Sequence, residues 1–240
     1  MRKELKALTS QNKTVNNLKR LIKGVPLIGS ARKLAGRLAF RGSTSYWNAR
    51  YRSGGTSGAG SYGQLAEFKA AVLNEFVRTK NIRTVIELGC GDGAQLELAR
   101  YAECVGIDVA TASIERCSAR FGHDLTKRFY LADALPKDLG TFDLALSLDV
   151  IYHLVEDSVF DSYMRTLFAR SHLYVVIYAS NYDAPVDAPH VRHRRFTNWI
   201  AQNAPTWELA AYVPNRFPFD PSRPDETSSA DFYFFARQAQ

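Results

Sequence analysis

One stretch limits what this chain can become: Thr84, Val85, Ile86, Glu87 and Leu88, followed by Gly89, Cys90, Gly91, Asp92 and Gly93. Residues 84–88 read as a short buried strand ending in an acid. Three glycines at alternate positions follow, and Ala94 to Tyr101 reads as a helix. A turn without Cβ atoms lets a ligand come close to the backbone. The helix N-terminus behind it offers free N–H groups and partial positive charge, which suit a carboxylate or phosphate. The turn is not the phosphate-cradling loop, because no Gly-Lys-Ser/Thr follows. It is also not a clean Gly-x-Gly-x-x-Gly; the glycines fall as Gly-x-Gly-x-Gly.

With Glu87 two residues before the first glycine, the stretch resembles motif I of class I S-adenosylmethionine-dependent methyltransferases. In that family this turn holds the methionine part of the cofactor.

Downstream, strands and helices alternate. The pattern predicts strands over 104–108, 128–133, 142–149, 172–179, 207–213 and 231–236, with helices over 111–121, 156–169 and 195–203. The last two strands are joined by a Pro-rich hairpin over 214–229. Such alternation implies an α/β fold with a doubly wound, mostly parallel sheet, seven-stranded with the first strand included. Ligands then sit at the carboxyl ends of the strands. Glu87, Asp108, Asp133 and Asp149 all fall at such ends. Asp108 lies about 20 residues after the glycine turn, where an acid accepts hydrogen bonds from ribose hydroxyls in nucleotide-binding folds. The resemblance covers residues 82–180 and implies a Rossmann-like methyltransferase fold whose last strand is antiparallel. It also implies that Asp133 faces the adenine amino group. The cofactor-binding set expected on this reading is Tyr62, Glu87, Gly89, Cys90, Gly91, Asp108, Val109, Asp133, Ala134, Leu148 and Asp149, with S-adenosyl-L-methionine as cofactor.

Residues 64–80 read as a helix with Leu65, Phe68, Val72 and Phe76 on one face. Before it, residues 54–63 contain five glycines and Tyr62, and follow closely on Tyr46 and Trp47. This stretch reads as a lid over the cofactor, its aromatics being costly to leave exposed in a linker.

Methyl transfer from a sulfonium is an in-line displacement, so positioning dominates. An oxygen acceptor also needs a base, and histidine is the usual one. His153, just past the fourth strand, is one candidate; packing beside the cofactor is its alternative role. His190 and His193, in a loop with Arg192, Arg194 and Arg195, are the others. Those arginines could bind an anionic acceptor. No Asn-Pro-Pro-Tyr or Asp-Pro-Pro-Tyr follows strand four, which argues against methylation of base or glutamine amino groups. No metal-ligand cluster is evident, so no metal is assigned.

The net charge of +7 is unevenly placed. Residues 1–52 hold 13 of the 31 Lys/Arg and one of the 24 acids, so they carry +12 and the remainder −5. Residues 1–25 show a weak helical pattern, and 27–41 read as a basic amphipathic helix. Such a helix either lies on an anionic membrane surface or caps the body with its charges in water. The expected organisation is a basic helical arm over 1–45 and a methyltransferase domain over 46–240. Three odd cysteines suggest reduced thiols in a cytoplasmic protein, peripheral on the inner membrane face if the arm binds lipid. No apolar run approaches the ~20 residues needed to span a bilayer, and no signal peptide is read.

The acceptor expected is a hydroxyl of a small molecule or glycan, in keeping with a resemblance to bacterial methyltransferases of surface-polysaccharide pathways. An RNA methyltransferase holding phosphates with the arm is the alternative. A cofactor-binding scaffold without catalysis is the third reading.

Overall fold

The computed structural model describes residues 40–238. The expectations placed on residues 1–39, the two arm helices among them, lie outside the described residues. Residues 42–186 and 190–240 form one compact unit. That unit carries the fold.

Seven strands form one sheet: β1 Thr84–Leu88, β2 Glu103–Asp108, β3 Lys127–Leu131, β4 Phe142–Leu148, β5 Ser171–Ala179, β6 Trp207–Val213 and β7 Asp231–Arg237. Their spatial order is β3-β2-β1-β4-β5-β7-β6. Strands β1 to β5 pair in parallel. Strand β7 runs antiparallel between β5 and β6, so the expected doubly wound sheet with an antiparallel last strand is the one found. The helices are α1 Ser43–Arg52, α2 Gly63–Thr79, α3 Thr111–Phe121, α4 Asp157–Ala169 and α5 Phe196–Asn203.

The period-two alternation of side chains splits the continuous apolar runs between two cores. Ile86, Ala145, Val175 and Ile177 face one side, where Met164, Leu167 and Phe168 of α4 and Phe196 and Ile200 of α5 cover them. Val85, Leu144, Leu146, Val176 and Tyr178 face the other, against Leu73 and Val77 of α2 and Phe232 and Phe234 of β7. The strand order reverses between β1 and β4, which opens a crevice at their carboxyl ends.

Two local readings need correction, and one helix was not expected from the sequence. Residues 94–101 do not form a helix; only a short 3₁₀ turn over Gln95–Leu98 exists. Asn74 of α2 explains the stop: its amide donates to the Leu98 carbonyl at 2.9 Å and its oxygen accepts from Arg100 N–H at 2.8 Å. Those bonds replace the next helical turn. Conversely, residues 43–52 are helical, with Ser43 buried by bonds to the Glu156 carboxylate. Strand β3 ends at Leu131, two residues before Asp133. Among the described residues no helix is long and apolar enough to cross a membrane.

Candidate cofactor and acceptor site

The crevice holds a cavity of about 420 Å³, within the roughly 300–1,000 Å³ of small-molecule sites. Its floor is the glycine turn. Gly89 and Gly91 adopt φ of +84° and +58°, a left-handed backbone that suits glycine. A Cβ on Gly89 would lie 2.4 Å from Val150 Cγ2, and one on Gly91 would lie 2.3 Å from Ser57 Oγ. The turn is tied to β2 by Gly89 and Cys90 N–H donating to the Ile107 carbonyl at 2.7 and 3.0 Å. Asp108 completes the tie. Its carboxylate accepts from Gly91 N–H at 3.0 Å and Ala110 N–H at 2.9 Å. Burial pushes its pKa up, though those bonds resist.

A strap formed by residues 53–62 crosses the turn. Ser57 Oγ donates to Asp92 Oδ1 at 2.7 Å and accepts from Asp92 N–H at 2.9 Å. Ser57 N–H and the Tyr62 hydroxyl both reach Asp92 Oδ2, at 3.1 and 2.8 Å. Burial alone would raise the Asp92 pKa, but these donors outweigh it and hold the carboxyl low. Further along, a Cβ on Gly60 would lie 2.8 Å from Asp149 Oδ2.

Asp149 follows β4 with φ of +59°. Lys69 of α2, only 1% exposed, donates to Asp149 Oδ2 at 2.6 Å. The Tyr152 hydroxyl donates to Asp149 Oδ1 at 2.8 Å. Beside this ion pair, Glu87 is buried, and burial pushes its carboxyl up to about 7 against the pull of Lys69. Lys69, Glu87 and Asp149 all line the cavity.

The other end is aromatic. His190 stacks on Tyr46 with centroids 4.2 Å apart and lies nearly parallel to His153 at 5.7 Å. Trp47 meets His153 edge-on at 4.9 Å. His153 Nδ1 lies 3.0 Å from the His190 carbonyl. A carbonyl only accepts, so Nδ1 carries the proton and Nε2 keeps its lone pair. Burial pushes this imidazole down to about 4, despite that bond.

Of the residues expected from sequence, Glu87, Gly89, Cys90, Gly91, Asp108, Val109, Leu148, Asp149 and His153 line the cavity. Tyr62, Asp133, Ala134, His190 and His193 do not. Tyr62 acts on the strap through Asp92. Asp133 and Ala134 are exposed, between Ala132 and Leu135, which do line it. His193 Nδ1 is 2.6 Å from Ser180 Oγ instead. The nearby arginines are largely committed: Arg194 binds the Leu154 and Val155 carbonyls and Asp157, and Arg192 binds Val155 and Asp157. Lys69, Ser57, Asp92 and Gln95 were not singled out in the sequence. A lysine on the same face as Leu65, Ala66, Leu73 and Val77 of an amphipathic helix was the available signal for Lys69.

Residues 85–170 match the family profile described as a methyltransferase domain. A ubiquinone biosynthesis O-methyltransferase of Brucella anthropi is 30% identical over 110 residues, covering 41% of this chain and 44% of that protein. The match thus spans under half the length of this relative. The magnesium protoporphyrin IX methyltransferase of Synechocystis PCC 6803, solved with bound S-adenosylhomocysteine, superposes with a TM-score of 0.57 at 14% identity, covering 81% of this chain and 97% of that one. The N-methyltransferase NodS from Bradyrhizobium japonicum, also in complex with S-adenosylhomocysteine, gives 0.54 at 17% identity, covering 73% and 88%. Residues 85–170 thus carry a methyltransferase domain, and the fold is the one that these solved methyltransferases share. S-adenosylmethionine is the cofactor of that domain, and the cavity, lined by Gly89 and Gly91 with Asp108 beside them, fits such a ligand.

Proposed function

We propose that the protein transfers a methyl group from S-adenosylmethionine to a hydroxyl of a small molecule or glycan. His153 would be the base, and the strap would cover the cofactor. The observation that carries this reading is the anchored His153 tautomer, with Nε2 unprotonated at the cavity. The Brucella anthropi relative is a ubiquinone biosynthesis O-methyltransferase, which supports an oxygen acceptor.

The cofactor supplies an electrophilic methyl on a positive sulfur. The protein's part is to bind, orient and accept a proton. On this reading Asp108 keeps lone pairs for ribose hydroxyls after serving the Gly91 and Ala110 N–H groups. Glu87 and Asp149 place negative charge near the cationic end. A base of pKa about 4 is too weak to strip an alcohol in advance. It suffices once the oxygen–carbon bond begins to form, because the hydroxyl proton then becomes strongly acidic. Burial keeps the imidazole neutral, and therefore able to accept, throughout the neutral range.

The test is transfer of labelled methyl by the full chain to phenolic, sugar and amine acceptors and to RNA, with His153→Ala beside the wild type. The expected outcome is a labelled ether and a ~10²–10⁴-fold loss of turnover in the variant, the usual range for acid–base catalysis. Label on nitrogen or RNA, or full turnover without the imidazole, would overturn the reading.

A further inference from the structure

Arg50 of α1 is a partly buried cation without an anion. Its Nε donates to the Thr56 carbonyl at 2.7 Å. Among the described residues its Nη groups have no acceptor and no carboxylate pairs with it. The side chain is nonetheless held in place. Its guanidinium carbon lies 5.6 Å from the ring centroid of Trp47, one turn earlier on α1. The strap is shaped around it: a Cβ on Gly55 would lie 2.8 Å from Arg50 Cγ, and one on Gly58 would lie 3.9 Å from Nη2. Fastening the strap takes one N–H. A guanidinium carries a rigid fork of donors matched to a carboxylate or phosphate, and here that fork is left over.

Its position gives the fork a use. Trp47 lines the cavity and meets His153 edge-on at 4.9 Å. Tyr46, one turn before Arg50, stacks on His190. Arg50 itself stands outside the cavity lining, so it would meet the part of a ligand that projects past Trp47. Its charge is felt at both imidazoles. It adds to the burial that pushes His190 down, and it is a lesser cause at His153. The loop cations Arg192 and Arg194 are spent on Asp157.

We infer that Arg50 is a specificity-determining residue, which selects an acceptor carrying a carboxylate or phosphate beside the methylated hydroxyl. The inference rests on the proposed function, in which the aromatic end receives the acceptor. Pairing with such an anion would also offset the positive charge near His153. The matching acceptor therefore leaves that imidazole a stronger base than a neutral acceptor does.

Calorimetric titration of the full chain with S-adenosylhomocysteine present, so that no transfer occurs, tests this with two pairs of probes at neutral pH. Catechol and 3,4-dihydroxybenzoate differ by a carboxylate, and glucose and glucose 6-phosphate differ by a phosphate. In at least one pair the wild type is expected to bind the anionic member ~10-fold more tightly, the effect of one charge-assisted pair at a partly exposed site. Arg50→Gln should abolish that preference by weakening the anionic member alone, and Arg50→Lys should keep part of it. No preference in the wild type, or one that survives in Arg50→Gln, overturns the inference. Equal weakening of both members also overturns it, because Arg50 would then only fasten the strap. So does a wild type that binds none of the four probes. Full turnover in His153→Ala would break the proposed base and leave this inference standing, because the preference is measured without turnover.

Discussion

The two ends of the cavity are built in opposite ways. The cofactor end is made of backbone that is close in sequence: Gly89, Cys90 and Gly91 hang from Ile107 and Asp108 by main-chain bonds. The aromatic end, which we propose meets the acceptor, is backed by side chains that are distant in sequence. Tyr46, His153 and His190 meet as stacked rings brought from three separate elements. The difference teaches where specificity can change. A backbone cradle tolerates little substitution, because any side chain meets Val150 or Ser57. A ring cluster on loops can be repacked without disturbing the sheet. The Lys69–Asp149 pair and the residue 53–62 strap are the seam between them.

The sharpest way to break the contrast is at His153. If it is the base of the acceptor end, His153→Ala lowers turnover ~10²–10⁴-fold with little change in cofactor affinity. The wild-type rate profile sharpens this point. With the imidazole pushed down to about 4, the rate should stay flat from neutral pH downward and fall only as His153 gains a proton near that value. An acid limb near 6.5 that survives in the variant would assign the role to another group.

At the seam, Lys69→Met leaves Asp149 without its cation. Loss of one member of a buried pair costs about 3 kcal/mol or more, and the lower end applies because Asp149 keeps 14% exposure. Denaturant unfolding should show the loss, and a melting curve equal to the wild type would remove the pair from the stabilising interactions.

At the cofactor end, Glu87 should make the ligand-free protein pH-sensitive. Its carboxyl titrates at about 7 when folded and near 4.5 when unfolded. Between those values the unfolded chain has lost a proton that the folded chain retains. Stability from this group therefore falls as pH rises through that window, by up to roughly 3 kcal/mol, and is constant above it. Glu87→Gln should flatten that slope in unfolding measured from pH 4 to 8; an unchanged slope would assign it to other groups.

The smallest effect is expected at the strap. Ser57→Ala removes two bonds to Asp92, each worth about 1 kcal/mol. Stopped-flow binding should show faster cofactor release, several-fold at most, with turnover chemistry intact. An unchanged release rate would mean that the strap does not gate the cofactor.

Much of the cofactor end was legible because its determinants are short-range. Positive-φ glycines, a strand period of two and acids after apolar runs are properties of a few adjacent residues. They predicted the sheet and the turn, and they put Glu87 and Asp108 near the ends of β1 and β2, while Asp149 falls one residue past β4. Even here a tertiary contact prevailed once: Asn74 ended the helix expected over 94–101.

The sequence by itself determined the alternating fold and the glycine cradle, because both follow from local backbone preference and side-chain period. Only the tertiary structure decided that Lys69 would pair with Asp149, 80 residues away, and that Ser57 would clasp Asp92. It also decided that His190 would present its carbonyl, rather than its ring nitrogens, to His153. These outcomes depend on how α2, the strap and the loop before α5 pack on the finished sheet. Burial then sets the proton affinities, and burial belongs to the folded surface rather than to any short stretch of chain.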